Sequence, residues 1–414
     1  MILHAAFATV PMAKAAKPGV DAALAIIRGA IAPLGVERVA IGDALDRLLA
    51  APVAARLDVP RFDCSAMDGY ALSSAAAAHA THASPACFVI VAPVHAGDTP
   101  PPLGPQQAAG ISTGAPIPAG ADAVLVIERA VIGDEGQLVL RDPIPAGANL
   151  RRRGEDVHAA VPLIAADVAL DPEAIGLLAA AGVSAVDVRR QPRLAYLSTG
   201  DELALPGAAD LDCAAIMDSN RPMIAAMAQR AGLPFSSRHA TPDDPDAIIA
   251  ALRELSSDAD IMITSGGASA GTADFTRDAI EALGGEVLFH GIDMRPGKPL
   301  LFARLPGGQY FFGLPGNPIA ALVGFRFFVS AAIRALLGLP PEAGTPVAWR
   351  RSPAGKPDLF LRVRTSGTGN DLRIDASLDQ RSHILSSAVT ADGWLHVHAE
   401  SDSAVLFEKA MRCR

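Results

Sequence analysis

From Val20, the apolar residues Leu24, Ile27, Ile31 and Leu34 recur at helical spacing and stop near Gly35, which predicts a helix there. Val36 to Ile41 suits a short strand, and Asp43 is placed to cap a second helix running to Leu49. Between about 60 and 150 the texture changes: short apolar runs (Phe88–Val94, Val124–Ile127, Gln137–Leu140) alternate with Pro/Gly turns, the pattern of a small β-rich lobe. A helix follows from Asp171 or Pro172 to Ala181, then a short strand at Val183–Val188. From 193 to 338 strands and helices alternate. The strands are Arg193–Leu197, Phe235–His239, Ile261–Thr264, Val287–His290 and Tyr310–Gly313; the helices are Pro222–Ala231, Asp246–Leu255, Phe275–Leu283 and Ile319–Leu337. Such alternation predicts a parallel sheet covered on both faces. The Pro/Gly-rich stretch 340–346 reads as a linker, and the remainder (Leu359–Arg364, Leu372–Asp375, Trp394–His398) as a small β-domain.

These elements predict an α/β multidomain chain: a flexible tail (1–19), a discontinuous helical connecting domain (20–60 and 151–192), a β-rich lobe (61–150), a central doubly wound α/β domain (193–338) and a C-terminal β-domain (339–414). Half of the 414 residues are hydrophobic but only 5% are aromatic, so the core must be built largely from Ala, Leu, Ile and Val. The net charge of −9 argues against a non-specific binder of nucleic acid or membrane surfaces, though not against a local basic pocket. The cysteines (64, 87, 213 and 413) lack metal-ligand spacing and read as free thiols of a reducing cytoplasm. In the N-terminal segment the lysines follow the short apolar stretch, unlike a secretory signal. The longest uncharged run, between Arg304 and Arg326, is interrupted by Pro306, Pro315, Gly316 and Pro318, so no membrane helix is expected in it.

In an open parallel sheet, ligands bind at the carboxyl ends of the strands. The unusual residues cluster there: Ser198-Thr199-Gly200-Asp201-Glu202, Thr241-Pro242-Asp243-Asp244-Pro245, Thr264-Ser265-Gly266-Gly267 with Asp274 beyond, Arg295-Pro296-Gly297-Lys298-Pro299, and Leu314-Pro315-Gly316-Asn317-Pro318. Each has a plain structural reading. The aspartates can be helix caps, the glycines turns, and Arg295 and Lys298 solvated surface charges. Together they describe something more specific. Gly-rich loops and helix N-termini offer N–H groups to an anion. A Lys and an Arg three residues apart add fixed positive charge, and carboxylates at the same edge can hold a hard divalent cation. That combination is a Mg²⁺-assisted phosphate or pyrophosphate site. Lys298 stands out further as one of only five lysines among 35 basic residues. A second constellation lies in the β-rich lobe, at Asp63-Cys64-Ser65-Ala66-Met67-Asp68, Ser112-Thr113-Gly114 and Arg151-Arg152-Arg153-Gly154-Glu155-Asp156. The arginines there suit either a solvated stripe or an oxyanion clamp.

The motifs SAMDGY, STGAPIPAGADAV, NLRRRGED, LSTGDEL, DSN, TSGGAS with GTADF, RPGKP and LPGNP occur in this order over Ser65–Pro318. The chain thereby resembles the molybdopterin molybdenumtransferase family, to which the gephyrin E-domain is related; Arg381-Ser382-His383 and Ala391-Asp392-Gly393 fit it more loosely. The resemblance implies a central domain of the molybdopterin-binding type. It also implies a reaction in which adenylylated molybdopterin and molybdate give molybdenum cofactor and AMP, with Mg²⁺, as the last step of cofactor synthesis. Glu202, Asp243 and Asp274 would form the acidic metal and molybdate-insertion site, with Asp243 preferred over Asp244, and Lys298 would contact the anionic substrate. Ser265, Gly266, Gly267, Arg295, Gly316 and Asn317 would complete the substrate site. Asp68, Thr113, Arg151 and Asp156 would face the central domain of a second subunit, making composite sites in a homodimer. Arg295 stands where the family usually has Lys, and Cys64 where it often has Asn. The enzyme that supplies the adenylylated substrate and the molybdoenzymes that accept the product are the implied partners. The alternatives are an adenylyltransferase acting one step earlier, which shares the central fold, and a non-catalytic molybdopterin-binding or scaffold protein. Molybdate and tungstate are nearly the same size, so the residues do not choose between them.

Overall fold

A computed structural model describes residues 17–207, 213–241, 244–266, 273–349, 357–368, 371–399 and 402–411. The chain divides into two compact units, a larger one of residues 1–36 and 189–414 and a smaller one of residues 37–188.

The larger unit is built on a six-stranded sheet ordered Phe235–Thr241, Leu194–Thr199, Ile261–Ser265, Tyr310–Leu314, Leu301–Arg304 and Glu286–His290. Side chains alternate across it as a pleated strand requires. Ala195, Leu197 and Met262 face the helices Pro245–Ser256 and Ala273–Ala282 through a core that includes Ile248, Leu252 and Ile280. The opposite face carries Asn220–Arg230 and the long helix Pro318–Leu336. Every residue of Leu194–Thr199 and Ile261–Ser265 is buried, the mark of a strand covered on both sides.

The sheet corrects the expectation of uniform direction. Leu301–Arg304 runs antiparallel to both of its neighbours. This four-residue strand, to which the sequence assigns no element, sits between the proline-bounded loop and a tight turn closed by Leu305 N–H to the Gln309 carbonyl (2.8 Å). Pro318–Leu336 is long and apolar enough to cross a membrane, yet most of it is buried inside this unit. The helix Val20–Ala30 packs on its last turns, where Leu34 N–H donates to the Leu336 carbonyl (2.7 Å).

A second sheet closes the unit, ordered Met294–Arg295, Asp358–Ser366, Gly393–Val397, Ser403–Glu408 and Thr345–Ala348, with Arg373–Asp375 beside Asp358–Ser366. Thr345–Ala348 overlaps the stretch read as a linker. It is an edge strand, the position in which Pro346 is tolerated.

The smaller unit holds a six-stranded sheet ordered Ala123–Val126, Gly69–Leu72, Gln107–Ile111, Ala86–Val94, Leu138–Leu140 and Val131–Ile132, over a core of Leu72, Phe88, Leu125 and Leu138. Of the region read as helical connection, the helix Val20–Ala30 belongs to the larger unit, and the part within the smaller unit has one α-helix, Pro172–Ala180. Asp171 caps it by accepting from Ala174 N–H (2.7 Å). Asp43 caps nothing of the kind: Ile41–Asp43 is a single 3₁₀ turn, and Leu48 and Leu49 go on to bridge Ala169 and Val188. Ala44 and Leu48 are buried four residues apart, a helical spacing, but a turn followed by a β-bridge puts them there.

Candidate functional site

The carboxyl ends of the parallel strands of the larger unit open into a cleft of about 1110 Å³. It brings together Glu202, Gly266, Arg295, Lys298, Gly316 and Asn317, with Ser265 at its inner wall. Close backbone approach makes this possible. At Gly266 φ is +106°, and a Cβ would lie 2.2 Å from the Thr199 carbonyl oxygen, so only glycine lets the loop after Ile261–Ser265 cross the loop after Leu194–Thr199. Gly316 then lies against Gly266, its own Cβ position 3.5 Å from the Gly266 Cα.

A buried polar brace fixes these loops. Asn220 Nδ2 donates to the Gly316 carbonyl (2.9 Å) and to Ser265 Oγ (3.1 Å), while Tyr196 O–H shares a close hydrogen bond with Ser265 Oγ. Ser198 Oγ donates to Asp218 Oδ2 (2.5 Å), and Arg221 N–H donates to Asp218 Oδ1 (3.0 Å). Burial pushes the Tyr196 phenol far above its ordinary value, so it stays a neutral hydrogen-bonding group. The Ser265 hydroxyl is thus committed inward, to its neighbours in the core.

Two cations face the cleft. Arg295 and Lys298 are exposed, and neither has an ion-pair partner among the described residues. Their backbone is held: Met294–Arg295 pairs with Asp358–Leu359, and Ile292 N–H donates to the Lys298 carbonyl (2.8 Å). The long helix begins at Pro318, and its N-cap residue Asn317 makes no side-chain capping bond. Pro318 has no N–H, and the Ile319 and Ala321 N–H groups already donate to the carbonyls of Ser382 (3.1 Å) and Asn317 (2.9 Å), so it is the Asn317 amide, together with the positive end of the helix dipole, that this terminus presents to the cleft. Glu202 is exposed at the same rim.

Among the other acidic candidates, Asp244 is the N-cap of Pro245–Ser256 and accepts from Ala247 N–H (3.1 Å), a structural use. Asp274 lies in the first turn of Ala273–Ala282; its side chain, and Asp243 and Gly267 entirely, lie outside the described residues.

In the smaller unit, Asp68 Oδ1 accepts from Thr113 N–H (2.6 Å) and Thr113 Oγ (3.0 Å), and these bonds hold its carboxyl below the usual range. Arg151 and Asp156 line a separate cleft of about 490 Å³ with Cys64 and Glu155. The arginine run is divided by its pairings. Arg152 bonds Asp63 (2.7 Å) and Arg153 pairs closely with Asp58, whereas Arg151 has no ion-pair partner among the described residues. Burial raises the Cys64 thiol, which fits a packing role.

Sequence reasoning missed two sets of residues. Asp218 and Asn220 stood in a recognised motif, but their bracing partners are distant in the chain. Gln380, Ser382 and His383 reach the cleft from the C-terminal region, and only the Arg381-Ser382-His383 motif hinted at them.

The pattern of the MoeA N-terminal region (domain I and II) matches residues 19–182, and that of a probable molybdopterin binding domain matches residues 195–335. A molybdopterin molybdenumtransferase of Synechococcus elongatus is 35% identical over 381 residues, covering 89% of this chain and 92% of that protein. One of Nostoc sp. is 37% identical over 360 residues, covering 86% and 78%. Among solved structures, a molybdopterin biosynthesis MoeA protein from Pyrococcus horikoshii superposes with a TM-score of 0.75 at 29% identity, covering 96% of this chain and 100% of that one.

Proposed function

Since the chain belongs to the molybdopterin molybdenumtransferase family, and so is a transferase of molybdenum cofactor biosynthesis, we propose that its larger cleft takes adenylylated molybdopterin and molybdate and releases AMP. The observation that carries this reading is the pair Arg295 and Lys298. These are exposed cations without ion-pair partners among the described residues, set beside a helix N-terminus in one cleft. Positive side chains without ion-pair partners beside the positive end of a helix dipole are what a polyanionic substrate needs.

Cleaving the link to AMP builds charge on phosphate oxygens. Lys298 and the Asn317 amide stand ready to offset it without reorganising. Arg295, with a planar fork rather than a point charge, orients a phosphate group. Mg²⁺ fits this donor set. It binds through one or two carboxylates plus substrate phosphate and water, and Glu202 is an exposed carboxylate at the rim, while Asp218 is already engaged by Ser198 and Arg221. Glu202, with Asp243 and Asp274, would hold the ion, which when bound neutralises developing phosphate charge. The soft dithiolate of the pterin is suited to take the molybdenum. AMP release from adenylylated molybdopterin, measured with and without molybdate and Mg²⁺, tests the reading; no release with all three present sinks it.

Lys298→Ala should weaken binding of the adenylylated substrate. The deficit should be greatest at low salt and shrink as ionic strength rises, because screening already weakens the wild-type contact. Calorimetric titration at two salt concentrations checks this, and equal affinities at low salt would return Lys298 to an ordinary surface charge.

The proposal extends to assembly. Asp68, Thr113, Arg151 and Asp156 sit in the smaller unit, where Arg151 lacks an ion-pair partner among the described residues. We assign them to composite sites shared with a second copy. Light scattering at micromolar concentration should then give twice the 42.5 kDa chain mass, and a monomer mass would count against it. A cytoplasmic location is part of the same proposal, supported by Cys64, Cys87 and Cys213 being free thiols. So are the adenylyltransferase that supplies the substrate, the molybdoenzymes that accept the product, and the five-part domain division.

A further inference from the structure

Away from the cleft, three potential metal ligands converge beside the N-terminal helix. His396 lies on Gly393–Val397, opposite Phe360 of the neighbouring strand, and is almost fully buried with its ring stacked on Phe360 at 4.6 Å. His398, two residues on, brings its ring to 4.1 Å from that of His396. Asp358 opens the neighbouring strand, and its carboxylate accepts from Val20 N–H (3.1 Å) and Ala399 N–H (2.7 Å). One donor atom from each of the three lies within 4.8 Å of the others.

One atom in this cluster is unaccounted for. His396 Nε2 is buried without a hydrogen-bond partner and stands 3.7 Å from Asp358 Oδ1, beyond hydrogen-bond length. A buried polar nitrogen left unpaired is costly, and native interiors rarely keep one without a reason. The cluster offers two imidazoles and one carboxylate, a donor set suited to a dication.

We propose that Asp358, His396 and His398 form a binding site for a divalent first-row transition ion, with Zn²⁺ as the reference ligand. Two imidazoles and a carboxylate are a recurrent set for such ions and a poor one for Mg²⁺ or Ca²⁺, which take oxygen ligands. Ligand bonds of about 2.0–2.2 Å require the donors to close in by on the order of 1 Å. His398, the least buried of the three, has room to make that movement. Entry comes through a cavity of about 530 Å³ lined by Asp21, Arg28, Ser330, His396 and His398. Asp21 Oδ2, 3.8 Å from His398 Nδ1, is positioned to complete the shell directly or through water. The ion would join the start of the N-terminal helix to two strands of the C-terminal sheet. The site is separate from the proposed active site and does not depend on it.

The test is titration of the full-length protein, stripped by chelator and dialysed, with Zn²⁺ by calorimetry and with Co²⁺ by visible absorption. One ion per chain is expected, with a Co²⁺ spectrum of nitrogen and oxygen ligation. His398→Ala should weaken this binding at least about tenfold, since even loss of a supporting group commonly costs that much. Glu202→Gln should leave it unchanged, which separates it from any ion at the cleft. His396→Gln should abolish it; if that buried substitution prevents folding, His398→Ala decides, with circular dichroism verifying its fold. Absence of stoichiometric binding, or binding unaltered by His398→Ala, overturns the proposal.

Discussion

Glu202→Gln should reduce AMP release by about 10²–10³-fold while leaving affinity for the adenylylated substrate equal to wild type or tighter. The two halves of this expectation come from different physics. Glu202 stands at the rim of a cleft in which Arg295, Lys298 and a helix N-terminus attract anions, while Asp293 is exposed there and Asp218 is held by Ser198 and Arg221. A carboxylate in that company repels a polyanion, so neutralising it removes a repulsion and does not harm binding. Turnover is different. Charge on phosphate oxygens grows as the bond to AMP breaks, and a carboxylate that holds Mg²⁺ contributes only as that charge develops. Calorimetry for affinity beside single-turnover AMP release separates the two. A variant that binds and reacts like wild type removes Glu202 from the metal site, and one that loses affinity in step with rate makes it a substrate contact instead. Asp274→Asn provides the companion measurement. Asp274 is the second residue of its helix, and near wild-type behaviour of the amide in both assays would return it to a purely structural role.

What was legible beforehand follows from how far apart the cooperating residues lie in the chain. The strands Leu194–Thr199 and Ile261–Ser265 are continuous apolar runs because both of their faces are covered, so they announce themselves locally. Lys298 stood out because this chain otherwise uses Arg. Leu301–Arg304 was hidden because a four-residue strand behind a proline-bounded loop has too little length to show a period. The Asp43 helix failed for the opposite reason, since a helical spacing of Ala44 and Leu48 was realised by a turn leading into bridged chain. Nor could the run Arg151–Arg153 reveal that Arg152 and Arg153 are held by Asp63 and Asp58. Asn220 is the sharpest case. Its importance lies in bonding Ser265 and Gly316 together, and nothing near Asn220 in sequence speaks of either.

Glu342→Ala should lower the stability of the larger unit by about 3–5 kcal/mol, the usual cost of stranding one member of a buried ion pair. Glu342 falls in the stretch that reads as linker, yet it is the anchor of the long helix. Arg326, fully buried in that helix, donates Nη1 to Glu342 Oε2 (2.7 Å) and Nη2 to Oε1 (2.8 Å), and gives a further bond to the Glu408 carbonyl (3.0 Å). Its guanidinium also lies over the Phe327 ring at 4.9 Å. Removing the carboxylate leaves a buried cation with one carbonyl and the faces of the Phe327 and Phe407 rings. For a unit of this size the loss corresponds to a fall in melting temperature of roughly 6–20 °C, read from its transition in a thermal scan. The double variant Arg326→Leu with Glu342→Leu should recover most of that fall. An apolar pair of similar volume avoids the desolvation that the charged pair has to offset, so the two substitutions will be far from additive. Substrate affinity measured well below the transition should stay near wild type in both variants. The pair sits nine residues into the helix, about 14 Å from the Asn317 end that meets the cleft. A Glu342→Ala protein that melts with wild type would mean that water reaches Arg326, and the helix would then owe its position to its apolar contacts alone.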